Sequence, residues 1–189
     1  MEQATLNEIL RKHRLWLKDD PNGEHAQLKD ADLRHANLEG SDLRYADLRT
    51  VNLEDADLVN ADLRHADLRG ANLKDAFLTQ TISQNIQGQK VISVQVDTSR
   101  VNNSISYWKD LGLWTTGCFQ GTLEELQERV AETHKDNTFL RERYERVIAF
   151  ILSEAEQDDK KADQRQLIGN ILKKIYKLII AEKSDKCVL

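Results

Sequence analysis

From Ala26 to Gln80 leucine recurs at every fifth residue without a miss, from Leu28 and Leu33 through Leu73 to Leu78. Two residues before each leucine stands alanine, except at Ser41 and Val51. The residue between is Asp or Asn, except at Gln27 and Phe77. No ordinary element tolerates this period. Five residues of α-helix turn through about 500°, so the leucines would scatter around the axis. In a strand they would alternate between faces. The pattern is satisfied only if the chain turns a corner every five residues and sends each leucine and its alanine inward. Four corners close a square coil of about twenty residues, and such coils stack at about the 4.8 Å spacing of β-ladders. The alanine is needed because so narrow an interior cannot hold two large side chains per pentad.

The eleven consecutive pentads, with A-D-L or A-N-L at 31–33, 36–38, 46–48, 56–58, 61–63, 66–68 and 71–73, resemble the pentapeptide-repeat family. The resemblance implies a right-handed quadrilateral β-helix. Before it, Thr5-Leu6-Asn7-Glu8 reads as a capping box, and Leu6, Ile9, Leu10, His13, Trp16 and Leu17 follow at helical spacing. Asp20-Pro21-Asn22-Gly23 ends that helix, which is expected to cover the first coil's open edge. His13 on its apolar face is expected to be a packed core histidine.

Composition narrows the class. The two cysteines, Cys118 and Cys187, are too few for a disulfide framework or a cysteine-based zinc site. No window reaches eighteen apolar residues, so no membrane span is expected, and a cytoplasmic location is. No glycine-rich phosphate loop, HExxH motif or carboxylate pair is found, so neither an enzyme nor a cofactor is expected. The net charge of −5 is unevenly placed: −4 over residues 26–80, −6 over 121–159, and +5 over 160–186.

Residues twenty apart should stack. Arg34, Glu54 and Lys74 then form an alternating ladder, Arg44 meets Arg64, Arg49 meets Arg69, and Tyr45 shares a corner with His65. Asp42, Asp47, Asp62 and Asp67 flank these arginines. A solvated mixed-charge face accounts for the arrangement. Arg44, Tyr45, Arg49, Arg64, His65 and Arg69 are also the candidate interaction surface. Val59 and Phe77 are apolar at outward positions, and this face or the last coil near Phe77 is expected to dock onto the following segment.

Residues 82–90 read as a crossover. Val91–Val96, Ser104–Trp108 and Leu113–Phe119 read as strands, with a turn at Asp110–Gly112. A helix opens at Gly121-Thr122 with a capping box from Thr122 to Glu125 and an inner face of Leu123, Leu126 and Val130. After His134–Asn137 a second runs from about Thr138 to Glu156, with Phe139, Leu140, Tyr144, Val147, Ile148, Ile151 and Leu152 inward. The charged stretch Glu154–Asp163 reads as a hinge before a last amphipathic helix. The domains are thus 1–25, a capping helix and turn; 26–80, the β-helix; 81–157, a small α+β domain; and 158–189, the terminal helix. Overall the chain is a mixed β-solenoid and α+β fold.

The string Gly117–Leu126, with His134-Lys135-Asp136-Asn137 and Tyr144, resembles a small domain of phage and prophage proteins, sometimes found behind pentapeptide repeats. These resemblances imply a non-enzymatic module that binds a host protein, such as a restriction or CRISPR defence component. The terminal helix, through Leu167, Ile168, Ile171, Leu172, Ile175, Leu178 and Ile179, is expected to join two copies. Two alternatives stand beside this. Some pentapeptide-repeat proteins mimic B-DNA and inhibit or protect DNA gyrase. However, eleven pentads make a rod of only about 13 Å, and interspersed arginines do not imitate a phosphate track with one charge per ~1.7 Å. The other is an enzyme using Cys118 and His134, for which the sequence offers no orienting third group.

Overall fold

The computed structural model describes residues 1–96 and 103–185, leaving out the side chains of 96, 103, 162, 169–172 and 174–185. Two compact units divide the chain, Met1–Ile148 and Ala149–Leu189.

In the first unit, helix α1 (Gln3–Trp16) precedes the repeats and buries Leu6, Leu10 and His13. It starts earlier than the Thr5 capping box predicts: Glu2 is the N-cap, without a side-chain bond. The reason is tertiary, because the first residues are held by the coil. The Met1 amine donates to the Asp32 carbonyl at 2.7 Å, and the Gln3 amide bonds Asn37.

The repeats form the square coil. Parallel single-residue bridges link positions twenty apart, from Gln27 with Asp47 to Asp67 with Gln87. Each corner closes with a bond such as Ala36 N–H to the Leu33 carbonyl, 3.1 Å. Its third residue is left-handed at every fifth position from Asp30 to Asn85, the geometry a type II turn requires. The leucines from Leu28 to Leu78 are buried in one cluster with Leu6 and Leu10 of α1.

The coil outlasts its leucines. Residues 82–90, expected to cross over, instead continue the ladder: Leu63 N–H donates to the Ile82 carbonyl at 2.8 Å and Gln87 N–H to the Ala66 carbonyl at 3.0 Å. Ser83 stands where a leucine would, yet the main chain carries these bonds whatever the side chain. Gly88 ends the coil. Its φ is 87°, and a Cβ there would stand 2.4 Å from the Arg69 Cα.

A four-stranded antiparallel sheet follows, in the order β1 (Val91–Val96), β2 (Asn103–Trp108), β3 (Leu113–Thr116) and β4 (Phe119–Gly121). Trp108 is buried in the solenoid's own apolar cluster, and Val91, Leu111 and Leu113 pack against that cluster. The predicted single strand 113–119 is two, because left-handed Gly117 turns the chain between Thr116 and Phe119. Gly112, also left-handed, caps the 3₁₀ turn Lys109–Leu111 between β2 and β3.

The solenoid is closed at both ends by a glutamine side chain standing in for a missing coil. At the first end the Gln3 Oε1 accepts from Asn37 N–H at 3.0 Å, and its Nε2 donates to the Asn37 carbonyl at 2.8 Å. At the other end Gln120 of β4 accepts from Leu78 N–H at 2.7 Å and donates to the Ala76 carbonyl at 2.8 Å. Asn37, Asp57 and Phe77 form one ladder column, so the two amides cap opposite ends of the same column. Each satisfies backbone groups that an open edge would leave unpaired.

Helix α2 (Leu123–Thr133) has the predicted capping box, with Glu125 N–H bonded to Thr122 Oγ1 at 3.3 Å and Thr122 N–H to Glu125 Oε2 at 2.8 Å. It buries Leu126 and Val130, while Leu123 is half-buried. Helix α3 runs unbroken from Thr138 to Asp185, 48 residues, so the predicted hinge at 154–163 is absent. That stretch is charged but holds no Gly or Pro, and Glu, Lys and Gln are good helix formers. Tyr144, Ile148, Ile151 and Ala155 are buried; Leu140, Val147 and Leu152 are half-buried. Phe139, expected inward, is 62% exposed, with the Arg143 guanidinium 5.7 Å from its ring centre. No helix among the described residues is long and apolar enough to cross a membrane.

Candidate functional site

The D-L-R triplets of the repeats build a distinct surface. In each, the aspartate accepts the backbone N–H of the arginine two residues on and grips its guanidinium through two oxygens. For Asp42 and Arg44 the guanidinium bonds are 2.8 and 2.7 Å, and for Asp47 and Arg49 2.7 and 2.6 Å. Asp62 with Arg64 and Asp67 with Arg69 repeat the clamp one coil later. Weaker contacts join the coils, from Arg44 Nε to Asp62 at 3.7 Å and from Arg49 Nε to Asp67 at 3.8 Å. The clamp sets the protonation states. The Arg49 bonds hold the Asp47 carboxyl down at about 2, and Arg44 and Arg69 push Asp42 and Asp67 below the ordinary carboxylate range. Arg44, Arg49, Arg64 and Arg69 are raised in turn by their aspartate bonds.

Between these two clamped faces runs the corner carrying Tyr45 and His65. Their rings stack 4.8 Å apart and 3° from parallel, as the twenty-residue period predicts. The column extends to His25, twenty residues earlier, whose Nε2–H donates to the Tyr45 carbonyl at 2.7 Å while its Nδ1 accepts from the Gln27 amide at 2.6 Å. Trp16 of α1 meets His25 edge-on at 4.6 Å. Tyr45 is 49% exposed and Trp16 38%. The same period could have added His25, but nothing in the sequence placed Trp16 beside it.

Behind this corner, His13 is fully buried. Its Nδ1 accepts the Ala26 N–H at 3.1 Å and its Nε2 bonds the Arg44 carbonyl at 2.9 Å. Burial lowers its pKa below the ordinary histidine value. This is a structural histidine, and it fastens α1 to two coils.

The other sequence candidates are placed as follows. Val59 is half-buried, while Phe77 is 53% exposed. Docking of the sheet near Phe77 runs through the neighbouring main chain and Gln120, with the phenyl ring left outward. Cys118 is exposed, His134 is buried against the Tyr144 ring at 5.4 Å, and both line one cleft of about 750 Å³ with Glu128, Arg129 and Glu132. In α3, Leu167 and Ile168 are 61% and 50% exposed, and Ile171, Leu172, Ile175, Leu178 and Ile179 lie outside the described side chains. Among the described residues no group of three or more His, Cys, Asp or Glu is placed to hold a metal ion.

Comparison with known proteins bears on the solenoid. Residues 24–58 and 46–82 match the family model of pentapeptide repeats. None of the curated proteins matches the chain. Among solved structures, a pentapeptide-repeat protein from the cyanobacterium Cyanothece 51142 is 34% identical over 34% of this chain and 48% of its own, with a TM-score of 0.24. HetL, a pentapeptide-repeat protein involved in heterocyst differentiation regulation from Nostoc sp. strain PCC 7120, is 26% identical over 34% of this chain and 44% of its own, TM-score 0.18. A third, from Nostoc PCC 7120, is 36% identical over 40% of this chain and 71% of its own, TM-score 0.15. The chain spans about half the length of the first two. The family match ends at residue 82 and lends no support to the expected likeness of 81–155 to a phage-associated domain. Ladder, leucine core and family match agree that residues 24–82 belong to the pentapeptide-repeat family.

Proposed function

We propose that this chain is a non-enzymatic protein-binding module whose contact surface is the solenoid corner around Tyr45 and His65. The observation that carries the reading is the pre-set geometry of Arg44, Arg49, Arg64 and Arg69 beside an exposed aromatic column. Arginine, tyrosine and tryptophan dominate binding energy at protein interfaces. Ordering a free arginine costs about 0.5–1.5 kcal/mol on binding, and a guanidinium already clamped by its aspartate avoids much of that. The clamps also keep these two faces close to neutral. That favours a polar protein surface over a strongly charged polymer, and it counts against the DNA-gyrase alternative, which needs a continuous acidic track.

The target in this reading is a host protein in a bacterial cytoplasm, such as a restriction or CRISPR defence component, on the strength of the resemblance at 81–155. Helix α3 joins two copies of the module. A cysteine–histidine enzyme is the second reading, favoured by the cleft that Cys118 and His134 share. Thiol labelling of the full chain separates the two. Labelling of Cys118 at the rate of an ordinary exposed thiol supports the binding module, whereas thiolate-like reactivity near neutral pH supports the enzyme.

Capture from bacterial lysate with the full chain, beside a Tyr45→Ala/His65→Ala variant and a Cys118→Ser variant, tests the surface. One partner should be retained by the Cys118→Ser variant and lost with the corner variant. Retention by the corner variant would move the surface elsewhere.

A further inference from the structure

We infer that the two copies of this chain join through α3 as an antiparallel pair of helices, in a register centred at residue 173; the inference rests on the two-copy reading above. Residues 149–185 are one continuous helix. Within it Ile151 and Ala155 are buried, whereas Leu167 and Ile168 are largely exposed. At about 100° per residue, Leu167 and Ile168 stand roughly 100° or more round the helix from Ile151 and Ala155. The apolar stripe that begins at Leu167 is therefore a second face, separate from the one already buried.

That stripe has coiled-coil spacing. Taking Lys161, Ile168, Ile175 and Glu182 as one seam row, the second row four and three residues away is Gln164, Ile171, Leu178 and Asp185. Two copies related by a two-fold axis perpendicular to the helix place the rows of one opposite those of the other. Ile168 then faces the second copy's Leu178, and Ile171 faces its Ile175. The ends of the seam decide the direction. In the antiparallel register four aliphatic layers are flanked at each end by a Gln164–Glu182 layer and, beyond it, by Lys161 facing Asp185. In a parallel pair Lys161 would face Lys161, Glu182 would face Glu182 and Asp185 would face Asp185. Like charges across a seam select against a pairing, and opposite ones fix register. Leu172 and Ile179 lie beside the seam in both cases and do not discriminate.

The test uses the full chain with Cys118 and Cys187 changed to serine and a spin label at Glu156→Cys, an exposed position outside the seam. Light scattering gives the number of copies, and electron-spin distance measurement gives the direction. At 1.5 Å per residue the two labels lie about 50 Å apart in the antiparallel pair, and within roughly 25 Å in a parallel one. A two-copy mass with the long distance supports the inference. A two-copy mass with the short distance overturns the direction and leaves the two-copy reading standing. A one-copy mass, or more than two copies, overturns both. Charge exchange gives an independent check: Lys161→Glu weakens association about tenfold, and adding Asp185→Lys restores it. A double variant no stronger than the single would contradict the register.

Discussion

The solenoid and α3 are each built on a regular apolar period, yet the first is closed at both ends and the second carries Leu167 and Ile168 exposed. In the solenoid the five-residue period turns every leucine toward an interior that the next coil completes. The two ends, where no coil follows, are covered by residues outside the period: Leu6 and Leu10 of α1 at one, Trp108 at the other, and the Gln3 and Gln120 amides on the column edge. In α3 the residues at and after Leu167 continue a helical period with Leu167 and Ile168 exposed. A repeat specifies its interior; what completes its boundary must be encoded separately. For the solenoid that code lies within this chain, and for α3 we place it in a second copy.

The largest expected effects fall inside the repeat. Leu58→Ala removes a fully buried side chain from the central coil and should cost about 2–5 kcal/mol in denaturant unfolding. Gly88→Ala sets a methyl against the Arg69 main chain and should cost about 2 kcal/mol or more. An α3 change of equal apolar loss, Ile171→Ala, should leave the unfolding midpoint of the solenoid in place. If it shifted that midpoint as far as Leu58→Ala, the contrast between the two regions would fail.

Next comes the fastening of α1. His13→Phe keeps an aromatic ring but leaves the Ala26 N–H and Arg44 carbonyl unpaired, at about 2 kcal/mol. Because burial lowers the folded-state pKa of His13, the unfolded chain takes up the proton first. Its contribution is full above pH ~6.5 and declines as pH falls from there toward the lowered folded pKa. The phenylalanine variant should lose that slope in urea titrations run across pH 7 to 5. A second decline, from the depressed clamp carboxylates such as Asp47, belongs lower, between their ordinary value near pH ~4 and about 2, and should persist in the variant.

The column caps are smaller. Gln120→Ala exposes Leu78 N–H and the Ala76 carbonyl and should cost about 1–2 kcal/mol, whereas Phe77→Asp, on a ring that is 53% exposed, should cost under about 0.5. The reverse order would mean that the sheet docks through the phenyl ring. Smallest of all, Tyr45→Ala should change stability by no more than about 0.5 kcal/mol, since half of the side chain already faces solvent.

Legibility in the sequence followed the same division. The coil, its corners every five residues and the stack of Tyr45 on His65 all follow from periods of five and twenty, because a repeat states each contact many times over. Gln3 and Gln120 could not be found that way: each acts once, through an amide that mimics backbone, and no spacing marks it. The continuation to Gln87 is invisible to a count of leucines, because main-chain bonds hold it whatever the side chain. Glu154–Asp163 reads as a hinge because its charges demand exposure, yet an exposed stretch without Gly or Pro stays helical. Phe139 shows the converse, an apolar residue on the periodic face that lies outward beneath Arg143. The D-L-R clamps were visible as flanking charges, but their two-oxygen grip depends on the corner geometry.

The claim that the Tyr45/His65 corner is the contact surface is tested most directly by titrating the partner captured with the full chain against two purified variants, Tyr45→Ala/His65→Ala and Phe77→Asp, each first shown to unfold like the parent. The corner variant is expected to lose affinity at least about a hundredfold, in the range of two interface anchors, while Phe77→Asp binds as the parent does. Unchanged affinity in the corner variant would contradict it.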